Sequence, residues 1–548
     1  MGQRYEKFDL AQSAQLVLGY MTSMVDSACD NLPYWLVLPH KKPAEAAHCR
    51  VDDAELVGSW YEGIDSARKI LQTQDGADVQ ASFRRHVLKS WGEHGLRFHE
   101  DYPWSNTNHS SFHEMGYILP ALNKMIENAP DDAEAERRAS ELVRGLRSLV
   151  IQRRVRTFWA GDFTHEEPIY EFPNDVYLRE GGFDLTRHTG RGEQPIRNAI
   201  MLRALVKRYE LTGDEVSLDL ARGLANFLLG SSRYFNYKME FFGHVHSAGW
   251  VATGLVALGR VTGEDEYIKK GKAIYDYIRS ISSSFGWVPE YAQWHPMEEE
   301  HCETCCIKDM IECAFELTRV GYSEYWNDIN LFARNQLMEN QIKNADYVVT
   351  DNSLPDGEGI TYRDIGKRML GGFTGGSLPN SISLSKFRSI AGCCVGTAPV
   401  ALKIVWDNAI TCEGNTITVN IPLDKDFVRT SYPNEGRVEV TAPFDCTVKI
   451  RLYPYMGEFQ DEFAVFENVA AGETIAFTHP IETIEMKEHV RGMNLTVVWR
   501  GCDVIDILPH GEPLRLYQRD LNVSKDYPSA EDVAYTGAAN YGPTQQKK

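Results

Sequence analysis

The sequence predicts a mainly α protein with a β domain: an (α/α)6 barrel over residues 1–410, an antiparallel β-sandwich over 411–520 and a polar C-terminal tail over 521–548. Three observations predict it. A helix–glycine–acid–helix layout recurs through the middle of the chain, long irregular inserts interrupt it, and after Trp406 the composition turns to short β-favouring segments.

Residues 1 to about 190 read as helices joined by long, aromatic-rich loops, because ELVGSWYEGIDSARKIL and AEAERRASELVRGLRSLVIQRRV carry apolar residues at helical spacing. Between them lies DYPWSNTNHSSFHEMGY, rich in His, Trp and Asn. Such loops suit sugars, since aromatic faces cover C–H patches while amides and imidazoles bond hydroxyls; an ordinary packed loop has the same composition.

From about 195 onward LVKRYELTGDEVSLDLARGLANFLL, LVALGRVTGEDEYIKKGKAIYDYI and the looser AFELTRVGYSEYWNDINLFARNQL share one plan: helix, Gly-centred turn, acidic cap, helix. Gly213 and Gly263 stand 50 residues apart and Gly321 lies 58 further on, a period of two helices with their connections. Roughly five or six such hairpins fit before residue 410, which is what a closed barrel of paired helices needs. An open solenoid is the competitor. The insert 344–391, with its DGEG and GGFTGG segments, favours the barrel as a loop built over the mouth of a cavity. After Trp406, TITVNIP, RVEVTAP, CTVKIRLYP, ETIAFTHP, LTVVWRG and LRLYQR cluster β-favouring residues between Gly, Pro, Asn and Asp, which reads as a sandwich.

Composition bounds the function. A chain of 548 residues with 43% hydrophobic content fills two cores, and a net charge of -20 excludes nucleic acid and anionic membrane as partners by repulsion. No long uncharged apolar run occurs, and MGQRYEKFDLAQSAQ lacks the basic-then-apolar profile of a secretory signal, so a cytoplasmic location is expected. A homo-oligomer stays open. Eleven cysteines, with adjacent pairs at Cys305–Cys306 and Cys393–Cys394, suit reduced thiols and metal better than a disulfide framework.

The chemistry concentrates in WVPEYAQWHPMEEEHCETCCI, residues 287–307. Glu290 precedes Glu303 by 13 residues, Glu303 stands beside Cys305 and Cys306, and Cys393 and Cys394 follow in AGCCVGT. Borderline-soft divalent metal favours thiolate sulfur with an occasional carboxylate, so the two clusters together would form a four-coordinate zinc site. Two ligand sets compete. Cys302, Cys305, Cys393 and Cys394 would make a closed structural site, whereas Glu303, Cys305, Cys393 and Cys394 would carry one replaceable hard ligand; the residue types alone lean to the former. Trp287, Tyr291, Trp294 and His295 surround Glu290, and His244 and His246 in FFGHVHSAGW begin the second repeat.

ETCCIKDMIECAFELTR, preceded by PEY, resembles the Glu-Thr-Cys helix of the bacterial β-L-arabinofuranosidases of glycoside hydrolase family 127 and of the related family 146. GCCVGTAPVALKIVWDNAI is similar to the Cys-Cys-x-Gly-Thr stretch that leads from helical barrel to β-sandwich in the same group. The similarity is good over about 285–420 and faint over about 195–520. It implies zinc held by Glu303, Cys305, Cys393 and Cys394, with Cys393 as nucleophile, and Glu290, in Pro289-Glu290-Tyr291, as general acid/base. It also places a substrate-contacting histidine near His244 and His246; Tyr291 and Trp294 are candidate sugar contacts from their own chemistry beside Glu290, as aromatic rings that stack on or bond a sugar. The sequence departs from the family in having Pro before that Glu, an added Cys306, and a blurred pattern in LFARNQLMEN. The implied activity is retaining hydrolysis of an L-arabinofuranoside or a related unusual sugar. The rivals are a sugar epimerase or isomerase working through His109, His113, His244 or His246 with structural zinc, and a non-catalytic carbohydrate-binding relative.

Overall fold

The structure, a computed structural model, describes residues 4–49, 53–105, 109–159, 163–186, 194–293, 301–382 and 389–533. Its helices in chain order are α1 (Leu10–Ser23), α2 (Ala54–Leu71), α3 (Ala77–Val87), α4 (Phe112–Asn128), α5 (Ala133–Leu149), the short α6 (Gln194–Ala199) and α7 (Leu202–Thr212). They continue with α8 (Glu215–Asn226), α9 (Val245–Thr262), α10 (Asp265–Ser280), α11 (Thr304–Arg319), α12 (Trp326–Phe332), the short α13 (Ile365–Arg368) and α14 (Gly392–Ala409).

Among the described residues α2, α4, α7, α9, α11 and α14 each pack on the next, and α14 packs back on α2, closing a ring. Helices α1, α3, α5, α8, α10 and α12 pack against it. The sequence assigns the two layers. Residues 245–259 of α9 are buried without a break, as an apolar helix enclosed on all sides must be, while α10 buries the stripe Tyr267, Gly271, Ile274, Tyr275 and Ile278. The repeat glycines do what the spacing required: Gly213 and Gly263 end α7 and α9 at φ 70° and 73°, and Asp214 and Glu264 stand at the N-terminal boundary of the helices that follow.

Close approach is the second demand of ring closure. A Cβ on Gly63 of α2 would collide with the Gly396 carbonyl of α14, and one on Gly396 would lie 2.5 Å from Ser59 Oγ and 2.8 Å from Ser59 Cβ. Gly396→Ala is therefore expected to lower stability by about 1–3 kcal/mol, read as a shift in urea midpoint at unchanged slope. An unshifted midpoint would mean that the α2–α14 crossing yields freely.

Two sequence expectations are corrected. The helix read through Val155 stops at Leu149, and Ile151–Trp159 pairs antiparallel with Phe163–Glu171 as a hairpin. The segment Ile151–Trp159, IQRRVRTFW, carries β-branched and aromatic residues that a partner strand stabilises, and Val150 is already extended. The strand region, expected as an antiparallel sandwich, is not wholly antiparallel. Its first sheet runs Ile410–Glu413, Thr416–Val419, Cys446–Arg451, Phe463–Val469, and the middle pair is parallel, because the chain between them leaves to build Val428–Thr430 and Arg437–Thr441 in another sheet. A third sheet holds Thr483–Val490, Met493–Arg500 and Asp503–Leu508.

The GGFTGG segment, expected as a loop over the mouth of a cavity, is irregular backbone and buried throughout. The start of the tail is tied down: Glu6 N donates to Arg519 O at 2.8 Å, and Leu521 N to Arg4 O at 2.7 Å. No described helix is long and apolar enough to cross a membrane.

Candidate active site

The ring has two ends. The late turns of its helices line a cavity of about 490 Å³ where Lys124 and Lys207 meet Glu127, and Arg319 meets Glu316. The early turns meet at the opposite mouth, and there the chemistry gathers.

Glu303 caps α11 and Cys305 lies in its first turn; Cys393 and Cys394 lie in the first turn of the neighbouring α14. Two helix N-termini thus point at the sulfurs, each favouring negative charge by about 0.3–1 kcal/mol. A buried strap sets their spacing. Thr304 Oγ1 donates to Thr374 O at 2.6 Å, Cys302 N to Ser377 O at 2.7 Å, and Ala391 N to Phe373 O at 3.2 Å, so the GGFTGGS stretch is stitched to the starts of both helices. Trp60 Nε1 adds a bond to Gly392 O at 2.8 Å.

The donor atoms of Glu303, Cys305, Cys393 and Cys394 lie within 4.8 Å of one another, all buried. Cys305 and Cys394 sulfurs are 3.5 Å apart, and Cys393 Sγ is 3.4 Å from Glu303 Oε1. A tetrahedron with zinc–ligand bonds of about 2.0–2.3 Å has edges of roughly 3.5 Å, so the donor set fits the ion in both chemistry and spacing. Thr397 Oγ1, at 3.3 Å, donates to Cys305 Sγ from the second turn of α14. Burial pushes the Cys305 and Cys394 thiols well above their ordinary range; for Cys393 the hydrogen bond with Cys305 is the first cause and burial adds to it. Such thiols ionise when a cation is supplied.

Cys302 is not in this group. Its sulfur sits 3.6 Å from Glu303 O and 4.0 Å from Asn340 Nδ2, facing the strap. The closed four-thiolate set is therefore not brought together. Cys306 is buried one position past Cys305 and also lies outside it.

Glu290 sits beside the cluster. Its backbone is held on both sides, Glu290 N donating to His301 O at 2.9 Å and Val245 N to Glu290 O at 2.8 Å, and its carboxylate pairs with the His301 ring. A carboxylate oxygen of Glu290, one of Glu303 and a ring nitrogen of His244 also lie within 4.8 Å of one another. His244 Nε2 is 3.4 Å from Glu303 Oε2, and Tyr291 pairs with His244 across a short bridge, with ring centroids 5.4 Å apart. Further support comes from the strand region. Arg491, at the tip of the Thr483–Arg500 hairpin, donates to Tyr291 O at 2.9 Å and Gln293 O at 3.2 Å, and Glu488 accepts from Ser284 N at 2.7 Å.

His246 is buried deeper, with Nδ1 2.5 Å from Asp309 and Nε2 2.9 Å from Tyr117 OH. Trp287 is core, bonding Ser377 O. Trp294 and His295 lie outside the described residues. His109 packs against His99, and burial, followed by Arg197, holds His113 well below its usual range and so neutral.

Three residues at this mouth have no motif in the sequence. The sequence signal for His301 is its place immediately before the Cys302–Cys306 segment. Glu55, in the first turn of α2, has its carboxyl pushed up to about 8 by burial, then by Glu114 and Glu303. Arg197 is the cation that acts on both Glu55 and His113.

The ring of paired helices with an attached strand region is shared, as a fold, with solved glycoside hydrolases. A family GH127 β-L-arabinofuranosidase from Geobacillus stearothermophilus T6 superposes on 90% of this chain and 80% of its own, with TM-score 0.55 and 12% identity. A second GH127 β-arabinofuranosidase covers 92% of this chain and 83% of its own, with TM-score 0.58 and 14% identity. A third structure, described as a glycoside hydrolase, covers 92% and 81%, with TM-score 0.55 and 14% identity. The chain is GH127-like in fold. No protein-family model matches it, and no curated protein does.

Proposed function

We propose that the protein is a retaining glycoside hydrolase with Cys393 as nucleophile and Glu290 as general acid/base, acting on an L-arabinofuranoside-like linkage. In this reading residues 1–410 form a catalytic (α/α)6 barrel, 411–520 a supporting β domain and 521–548 a tail. The observation that carries it is the placement of thiol and acid on either side of one carboxylate: Cys393 Sγ is 3.4 Å from Glu303 Oε1, while Glu290 and His244 gather with Glu303.

Zinc held by Glu303, Cys305, Cys393 and Cys394 would supply the positive charge that keeps the thiols ionised at neutral pH. Cys393 Sγ attacks the anomeric carbon while Glu290 passes its proton to the departing sugar oxygen, forming a C–S bond as the C–O bond breaks. Glu290, now a carboxylate, takes a proton from water, which attacks the same carbon and releases Cys393. Two inversions give net retention. The first step requires Glu290 to carry its proton when the sugar binds. His301 fixes its direction, and His244 and Tyr291 line the space where sugar hydroxyls would bond.

A panel of nitrophenyl furanosides and pyranosides, run with elemental analysis of the purified protein, tests the reading. Turnover of an L-arabinofuranoside with zinc present is the expected result; retained zinc with no turnover of any glycoside would favour a binding protein. Cys302→Ala should keep its zinc, because that sulfur faces Asn340 and not the cluster. Loss of the metal in this variant would restore the four-thiolate assignment.

A further inference from the structure

We infer that His244, Glu290 and Glu303 form a second divalent-cation site, of the zinc class, which shares Glu303 with the thiolate cluster and silences the acid/base when filled. The inference rests on the thiolate reading given above. Its starting point is that the two oxygens of one buried carboxylate face different donor sets. Glu303 Oε1 is 3.4 Å from Cys393 Sγ, and Glu303 Oε2 is 3.4 Å from His244 Nε2. A carboxylate so divided is the bridging ligand of paired-metal sites, whose ions stand about 3.5–4 Å apart.

The second donor set is complete enough to hold an ion. A nitrogen of His244 and oxygens of Glu290 and Glu303 lie within 4.8 Å of one another. His244 Nδ1 is 3.0 Å from Ser247 Oγ, which fixes the ring with Nε2 toward the carboxylates, as the outer partner of a metal-bound imidazole does. His301 braces Glu290 in the same way. Glu290 is 3% exposed and Glu303 7%, so negative charge on this pair is poorly hydrated, and a dication would take the place of the Glu290 proton and balance both carboxylates. One imidazole with two carboxylates selects zinc, cobalt, nickel or manganese over calcium and magnesium.

The functional consequence follows from the ligands. A carboxylate of Glu290 bound to a cation cannot carry the proton that the departing sugar needs, and His244 bound to it cannot reach a sugar hydroxyl. The first equivalent of zinc therefore supports hydrolysis, and the second opposes it in competition with substrate.

Zinc chloride is titrated into the purified protein at buffered free zinc, and bound zinc is counted by elemental analysis, with cobalt(II) as an optical probe. The expected result is about two ions per chain at high free zinc, falling to about one in both His244→Ala and Glu290→Gln, while Cys394→Ser loses the tighter one. The intense sulfur-to-cobalt band should persist in His244→Ala and fade in Cys394→Ser. A single ion in the parent protein, bound through the thiolates, would overturn the second site and leave the proposed hydrolase standing. A second ion that survives both His244→Ala and Glu290→Gln would overturn it too, by placing that ion elsewhere. No bound zinc at all would remove the thiolate site together with the inference.

Discussion

Cys393→Ser lowers kcat/KM on an aryl L-arabinofuranoside by at least ~1,000-fold, the expected outcome of exchanging an ionised sulfur for a hydroxyl that stays protonated at neutral pH. The substitution also removes one of the four donors, so the variant's zinc content must be measured beside its rate. Cys394→Ser separates the two effects, since it removes a donor and leaves the attacking sulfur in place. The sharper evidence is covalent: a fluorinated or otherwise slow furanoside should leave one glycosyl mass on the peptide containing Cys393. Full activity in Cys393→Ser would end the nucleophile assignment, and so would an adduct on any other residue.

Glu290→Gln is expected to cost about 100- to 10,000-fold on substrates with alkyl leaving groups, because such an oxygen departs only as it is protonated. A nitrophenyl group leaves without that help. On nitrophenyl glycosides the first step should survive and the second should stall, so the sugar accumulates on Cys393 and azide, which needs no base, restores turnover. Zinc in the thiolate cluster should be unchanged, since Glu290 is not one of its four donors. Equal losses on both substrate types without azide rescue would assign Glu290 a supporting role only.

The donor cluster was legible because it needs few residues of unmistakable type, in two short segments, each at the start of a helix. The segments lie far apart in sequence, and the repeat of Gly213 and Gly263 explains how they meet: each hairpin adds one helix to the ring, and α11 and α14 close it as neighbours. The choice of Glu303 over Cys302 was not legible from residue types, which leaned the other way. It depends on which side of the chain just before α11 faces the strap, where Cys302 N and O pair with Ser377. Glu55 and Arg197 carry no sequence signal because in a chain with 24% charged residues a lone acid or base on a helix looks like solvated surface, and His301 belongs to no spacing pattern. The hairpin beginning at Ile151 is hidden in the sequence because the strong helical period of α5 runs up to it and no Gly or Pro stands at the junction after Leu149.

Arg491 and Glu488 reach from the strand region to the segment Ser284–Gln293, on which Glu290 lies. Glu290 thus stands on a wall shared by two parts of the chain, one furnishing the carboxylate and the other bracing its stretch of backbone from outside. Shortening the protein to its helices would keep the clustered thiols and carboxylates and still cost Glu290 its aim.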